Sequence, residues 1–355
     1  MVLLQAQSTI AVAGAERLLG LLCEHFAEHG QVQSQPGRGH VSFGYGTAVL
    51  ALRDEGLEVE VEAGDHTYLS FLKVGVAEHV LEFCEGAAPD IRWRGDGVPA
   101  GSPLPYFREL AVVGVETLSP HMRRVRFRGE DLGRFAIGGH HVYLIFPPKG
   151  RAPAWPVTGE SGLPVWPVGE NKLTRRVYTI RRIDAARGEL DVDIVVHPGD
   201  STPGSDFALN ARPGDLVGMT GPGGSEMPGG DTIVLVGDDT ALPAIGRILE
   251  ELPASARALA LLEVDGPADE PRLVSRARLE IRTIHRAGAE PGTLRALPRA
   301  LQDLDWEDLG PDPFVWAGCE FEDFKAIRRY LRGERRMPKH RHMAVAYWRR
   351  GTTYD

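Results

Sequence analysis

The sequence predicts a multidomain chain. A small α+β domain over residues 1–96 is joined by a linker over 97–106 to an antiparallel six-stranded β-barrel over 107–228. A doubly wound parallel α/β domain follows over 229–355. Three observations predict this. Helical and alternating patterns interleave early in the chain, six short alternating runs separated by turn residues follow, and near-continuous apolar runs then alternate with helical stretches.

In the first domain, Ala13 to Glu28 places Leu18, Leu19, Leu22 and Phe26 on one helical stripe, which Gly30 and Pro36-Gly37 end. The runs 40–44, 48–52 and 57–62 alternate apolar and polar residues, as an antiparallel sheet with one wet face requires. Tyr68 to Phe83 reads as a second helix, so the expected order is α-β-β-β-α. His25 and His29 stand one helical turn apart, with His66 and His79 further on. No glutamate in zinc-protease spacing and no cysteine pair accompanies them, so they read as solvated helix surface and no metal site is assigned. Residues 97–106 are rich in Pro and Gly and lack periodicity, hence the linker.

Six strands are expected next, at 110–115, 122–127, 141–146, 175–181, 189–197 and 216–220. Turn residues recur at the spacing of a closed barrel, and Lys149 to Asn171 is a Pro- and Gly-rich loop within it. Parallel strands are expected at 231–236, 258–264, 279–284, 313–318 and 342–348, with helices at 244–252 and 322–331. Pro243 suits a helix start, where its missing N–H is no loss. Ligands of such sheets sit at the carboxyl ends of the strands. Here these are Gly237-Asp238-Asp239-Thr240, Glu263-Val264-Asp265 and Gly318-Cys319-Glu320.

The net charge of −9 argues against nucleic acid or an anionic membrane as the main partner. Three widely spaced cysteines, Cys23, Cys84 and Cys319, form neither a disulfide framework nor a zinc set and suit a reducing cytoplasm. No apolar run reaches transmembrane length and no positive leader precedes one, so membrane insertion and a signal peptide are not expected.

The stretch Arg175-Arg176-Val177-Tyr178-Thr179-Ile180-Arg181 carries the chemistry. On a strand, Arg176 and Tyr178 point to one face. A guanidinium forks onto phosphate, a tyrosine ring lies flat on a ring system, and a threonine bonds a ring heteroatom. Those three needs belong to a flavin nucleotide. His197 ends the neighbouring strand, and the loop Pro198 to Ser205 is built to present backbone N–H groups to a diphosphate.

With these parts together, the chain resembles the siderophore-interacting proteins, the FAD-dependent ferric-siderophore reductases of the ferredoxin-reductase superfamily. The resemblance rests on residues 176–181, 191–197, 213–215, 221–224, 237–245 and 347–351. Ahead of it, Leu22-Cys23-Glu24-His25-Phe26, the strand-rich middle and His79, Phe83 and Trp93 resemble a small uncharacterised bacterial domain found alone or fused to such proteins. The family likeness implies non-covalent FAD, with electrons from NAD(P)H or, alternatively, a ferredoxin, and a ferric siderophore as substrate. It implies FAD contacts from Arg176, Tyr178, Thr179, Ile180, His197, Gly204, Ser205, Asp238, Thr240, Ala241 and Trp348. Tyr143, Arg349 and Arg350 would face the siderophore. No proton-transferring side chain is assigned, because the flavin itself carries the redox chemistry.

The chain departs from the family pattern in four places. Thr202 to Ala208 replaces the usual small-residue and tryptophan motif, Cys319 stands where Glu is common, Tyr143 where a lysine is frequent, and Asp206 where a base is frequent. A site for an anionic chelate wants cations. Two other functions therefore stay open: a flavin-binding or scaffold protein that does not turn over, and a flavin reductase for another small acceptor.

Overall fold

The computed structural model describes residues 2–54, 56–84, 86, 88–197, 202–224 and 230–352. The chain forms two compact units, residues 1–107 with 148–173, and residues 108–147 with 174–355.

The first unit runs β1 (Leu4–Ile10), α1 (Ala15–Phe26), β2 (Gln31–Gln35), β3 (Arg38–Phe43), β4 (Gly46–Arg53), β5 (Gly56–Ala63), α2 (His66–Phe83) and β6 (Arg94–Gly95). Its antiparallel sheet has the order β2-β3-β4-β5-β1-β6. Both helices cover one face, where Leu18, Leu22, Phe26, Leu69, Leu72 and Val76 meet Val41, Leu50, Val59 and Val61 in one core. The sheet is larger than the expected three strands. β1 reads Leu-Gln-Ala-Gln-Ser-Thr-Ile and buries Ala6, Ser8 and Ile10 on its inner face. Small and polar side chains at inward positions hide such a strand from a hydrophobic pattern. β2, Gln-Val-Gln-Ser-Gln, is an edge strand and almost wholly exposed. The stretch expected as a barrel loop packs into this unit instead. It pairs β10 (Val157–Thr158) with β11 (Pro164–Val165), and Trp93 Nε1 donates to the Ser161 carbonyl at 2.9 Å.

The second unit opens with β7 (Phe107–Ser119), β8 (Met122–Gly129) and β9 (His141–Phe146). It resumes with β12 (Thr174–Asp184), β13 (Glu189–Val195), α3 (Pro203–Asn210) and β14 (Leu216–Gly223). These six strands close into a barrel of order β12-β13-β8-β7-β14-β9, as expected. Leu110, Val125, Phe127, Leu144, Val192 and Met219 fill it. α3 falls where a loop is expected; Pro203 near its start suits the first helical turn. The Pro198 to Ser201 part of that predicted phosphate loop lies outside the described residues.

The α/β half follows with β15 (Thr232–Gly237), α4 (Leu242–Glu251), β16 (Arg257–Val264), β17 (Arg278–His285), α5 (Ala296–Gln302), β18 (Phe314–Glu320), α6 (Phe321–Arg329) and β19 (His342–Trp348). The parallel sheet has the order β17-β16-β15-β18-β19. α4 packs one face through Ile245, Ile248 and Leu249. α5 and α6 pack the other through Leu297, Leu301 and Ile327. This is the doubly wound arrangement. The short α5 contains Pro298 and its periodic signal is too brief to read from sequence.

Charged side chains join barrel and sheet. Arg181, buried on β12, donates through Nη1 to Glu250 at 2.9 Å. Its guanidinium lies 3.0 Å from where a Cβ on Gly246 would stand, so a larger residue there would push it aside. Arg247 Nη1 donates to the Ile180 carbonyl at 3.1 Å. On the far side, Asp269 accepts from Ser119 Oγ at 2.7 Å and from the His121 backbone N–H at 3.1 Å, clamping the β7–β8 turn.

Candidate functional site

Arg176 and Tyr178 share one face of β12, while Val177 turns outward at 55% exposure. Arg176 is half-buried, and Nη1 donates to the Arg175 carbonyl at 2.8 Å. No carboxylate pairs with it among the described residues, in a barrel whose other arginines are mostly paired: Arg124 with Asp193 at 2.7 Å and Arg126 with Asp191 at 2.8 Å. A half-buried guanidinium with open donor positions suits a phosphate.

Tyr178 stands edge-on to Phe146, with ring centroids 6.3 Å apart. Burial pushes its phenol up, and the nearby Arg176 charge opposes this. Its hydroxyl presses against the first turn of α3: a Cβ on Gly204 would fall 1.7 Å from Tyr178 Oη. Only glycine fits there. Ser205 is buried, and its Oγ accepts from the His197 backbone N–H at 2.9 Å, tying the end of the β13 segment to α3. Gly204, Ser205, His197, Tyr178 and Arg176 therefore form one neighbourhood at a helix N-terminus, where anions are favoured. Asp206 in the same turn adds a carboxylate that works against this.

Thr179 faces the other way and is buried. Its hydroxyl lies 3.5 Å from His141 Nδ1, and His141 Nε2 lies 3.3 Å from the Tyr347 hydroxyl. The Tyr347 ring meets His141 edge-on at 5.4 Å. Burial lowers His141 and raises Tyr347. His140 is lowered to about 4 by burial and by the Arg247 and His141 charges. Both imidazoles are therefore neutral at pH 7. Ile180 is fully buried; its N–H donates to the His140 carbonyl and its own carbonyl receives Arg247, so it serves the barrel–sheet seam.

Asp238 organises the carboxyl edge of the sheet. It caps the turn after β15 by accepting from Thr240 N–H at 3.0 Å and from the Thr240 hydroxyl. It also accepts from Glu320 N–H at 3.1 Å and from Trp348 Nε1 at 2.8 Å. Burial pushes its carboxyl up, while these four bonds pull it down. Ala241 is buried in the core beneath. Trp348 is thus oriented by Asp238, and the tight turn at Gly292 leaves room for it: a Cβ there would stand 3.1 Å from the indole.

More acids crowd this edge. Asp239 is raised to about 6 by burial and binds Arg286 at 2.7 Å. Glu263 is raised to about 7 by burial, and its Oε1 lies 3.8 Å from Arg286 Nη1; among the described residues its Oε2 and the Nε and Nη1 of Arg286 make no hydrogen bond. Burial, and then the charges of Asp238 and its neighbours, push the Cys319 thiol up, so it is protonated and inert. Glu320 receives Arg295 at 3.1 Å and the Arg350 N–H at 3.2 Å. At the rim, Tyr143 is 47% exposed under the Arg175 guanidinium. Arg349 lies over the Phe321 ring at 4.8 Å, and Arg350 reaches Glu290 at 3.4 Å.

The sequence-expected residues thus fall into two groups: Arg176, Tyr178, His197, Gly204 and Ser205 on the barrel, and Asp238, Thr240, Ala241 and Trp348 at the sheet edge, with Arg349 and Arg350 beyond. His141, Tyr347, His140 and Arg247 are missing from that expectation. Tyr347 stands beside Trp348 in the motif already singled out, but no spacing in the sequence marks the histidines.

Comparison with known proteins accords with this geometry. Residues 111–226 match the family described as siderophore-interacting FAD-binding domain, and residues 230–351 match siderophore-interacting protein. Ferric vibriobactin reductase ViuB of Vibrio cholerae is 32% identical over 250 residues, 69% of this chain and 90% of that protein. The chain belongs to the siderophore-interacting protein family. Its barrel matches the family's FAD-binding domain. The NADPH-dependent ferric-chelate reductase of Escherichia coli is 30% identical, over 68% of this chain and 92% of that protein. The crystal structure of a siderophore utilization protein from T. fusca is 37% identical with a TM-score of 0.59, covering 70% of this chain and 94% of that one. Residues 7–94 match an uncharacterized protein family conserved in bacteria.

Proposed function

We propose that the protein reduces ferric siderophores to release Fe(II), using FAD held on the barrel and electrons from NAD(P)H. One observation carries the reading: Arg176, with no carboxylate partner among the described residues, shares a face with Tyr178, whose hydroxyl abuts Gly204 of α3. Such a set fits a nucleotide diphosphate beside an aromatic ring. The reductases from Vibrio cholerae and Escherichia coli supply the substrate class and the donor by similarity.

Arg176 would hold the diphosphate charge, with the helix N-terminus of α3 adding its dipole. Tyr178 would pack on the flavin, its hydroxyl positioned by Gly204. Trp348, oriented by Asp238, would bound the ring from the sheet side. Thr179 would stand at the flavin edge within the His141–Tyr347 network. Bound FAD supplies hydride acceptance and one-electron donation. The neutral His140 and His141 put no charge beside it. Arg349 and Arg350 at the rim, with Tyr143, would meet the anionic chelate. Oxygen chelators hold the less charged Fe(II) more weakly, so reduction frees the metal.

The test is anaerobic. The FAD-loaded protein is mixed with NADPH or NADH, and the flavin absorbance is followed. A panel of ferric chelates is then added with an Fe(II)-trapping dye. Bleaching by a nicotinamide followed by Fe(II) release is expected. A protein that takes up no FAD, or whose flavin neither nicotinamide bleaches, overturns the proposal.

A further inference from the structure

Three histidines of the first unit meet where α1 and α2 pack together. His25 lies in the last turn of α1, and His29 stands four residues on, in the turn that ends the helix. α2 brings His79. The ring centroids of His25 and His79 are 3.9 Å apart, and those of His25 and His29 are 5.0 Å apart. His66 opens α2 and stands away from them, about 20 Å from His79 along the helix at 1.5 Å per residue. The expectation of a solvated surface holds for His29 and His66, which are exposed. It does not hold for His25 and His79. Both are half-buried, with the rings of Phe26 and Phe83 within 5.9 Å of each.

Packing alone does not account for polar rings in this place. His25 Nε2 is buried and makes no hydrogen bond among the described residues. A buried nitrogen without a partner is costly, and an apolar side chain would fill the space without that cost. His79 has one nitrogen held: Nδ1 meets Glu82 Oε2 at 2.9 Å. A carboxylate at Nδ1 keeps the proton there and leaves Nε2 as a bare lone pair. Histidines that bind metals are oriented in this way. The spacing of His25 and His29 is the one by which a helix turns two imidazoles toward one ion.

The donor set selects the ion. Imidazole nitrogens suit zinc, nickel, copper, cobalt and ferrous ions, whereas magnesium and calcium seek oxygen. The rings as they stand do not aim at one point, so closing the set turns the exposed His29 ring inward. Another group of donors, His121, Asp265 and Asp269, lies in the second unit. Its carboxylates are already occupied. Asp269 accepts from Ser119 Oγ and the His121 backbone N–H and meets His121 Nδ1 at 2.9 Å, and Asp265 accepts from the Gly288 N–H. That group is accounted for by the turns it holds. The histidines of the first unit are not.

We propose that His25, His29 and His79 form a binding site for one divalent first-row transition ion, with Glu82 orienting His79. Three protein nitrogens leave a position open for water or a further ligand. The site lies wholly within the first unit and is independent of the flavin reading. Affinity should rise from Fe(II) through Co(II) to Ni(II), the usual order for nitrogen donors. The imidazoles must be unprotonated to bind, so affinity falls as the solution is acidified.

The experiment uses the full chain, purified without a histidine tag and stripped with EDTA. Co(II) is added, its visible ligand-field bands are followed, and isothermal titration gives the stoichiometry. One Co(II) per chain is expected, displaced by Zn(II) and not by Mg(II). Glu82→Gln should weaken binding about 10-fold, as loss of a carboxylate behind a ligating histidine does. His25→Gln, His79→Gln and His29→Ala should each weaken it further. His29 is exposed, so His29→Ala tests the site without disturbing the core. His66→Ala and His121→Ala should bind as the parent does. Failure of the stripped protein to bind either Co(II) or Zn(II) overturns the proposal. So does affinity unchanged in His29→Ala and His79→Gln, or binding lost in His121→Ala, which would put the ion in the second unit.

Discussion

Replacing Asp238 by alanine tests the carboxyl edge of the sheet directly. The carboxylate accepts from Thr240 N–H, Thr240 Oγ, Glu320 N–H and Trp348 Nε1, and is itself 6% exposed. Truncation leaves the Glu320 N–H without a partner at a residue 2% exposed. An orphaned buried donor costs about 1–3 kcal/mol, and each hydrogen bond to a charged group contributes about 1.5–3 kcal/mol. Thr240 and Trp348 are only half-buried and regain part of theirs from water. Removing the carboxylate also relieves its own burial cost, which shows as its raised pKa. The net loss is therefore near ~3–5 kcal/mol, or on the order of 10 °C in Tm for a unit of this size. Thermal unfolding by near-ultraviolet circular dichroism, with tryptophan emission reporting release of the Trp348 indole, measures it. Asp238→Asn keeps one acceptor oxygen and should fall between. A Tm within about 2 °C of the parent for the alanine variant would refute the role assigned to Asp238.

Three further perturbations probe the rest of the site. Arg176→Ala should weaken FAD binding by roughly 1.5–3 kcal/mol, about 10- to 150-fold, through loss of a charge-assisted bond; equal affinity in a flavin fluorescence titration would contradict the pocket. Gly204→Val should displace the Tyr178 ring, because its Cβ would stand 1.7 Å from Tyr178 Oη. FAD affinity should drop and Tyr178→Phe should partly restore it in the double variant; no drop would break the link between α3 and β12. Glu263, raised from 4.5 to about 7 by burial, keeps its proton in the folded state where the unfolded chain releases it. Stability therefore falls as pH rises from about 4.5 to 7 and is level above, by up to ~3 kcal/mol. Glu263→Gln should flatten that slope in denaturant titrations at several pH values; an unchanged slope would clear Glu263 of it.

How much of this was legible in the sequence depends on where each signal lives. The barrel strands and the parallel strands announced themselves because β-branched runs and turn residues are local. β1 did not, because its buried face is Ala6, Ser8 and Ile10, and small polar residues inside a sheet look like loop. α3 did not, because Thr202-Pro203-Gly204-Ser205 is turn chemistry until Pro203 is recognised as the opening of a helix. Arg176 and Tyr178 were legible because period 2 alone puts them on one face. Long-range partners were not legible: nothing in the spacing of His141 and Tyr347, 206 residues apart, says that they meet.

The same fold separates two roles within the resemblance. Thr179, Ile180, Asp238 and Trp348 are all engaged with protein groups, so they set the geometry of the seam between barrel and sheet. Among the described residues, Arg176 hydrogen-bonds only its neighbour's carbonyl. A ligand entering between barrel and sheet would find the seam unequal. The Asp238 contacts are short and charge-assisted, and replacing them is expensive. The Thr179–His141 and His141–Tyr347 contacts, at 3.5 and 3.3 Å between neutral groups, are long and weak. The barrel side of the site is therefore where side chains can turn toward a bound flavin, while the sheet side stays as it is. A substitution at His141 should accordingly change flavin properties with little loss of stability, and one at Asp238 should do the reverse.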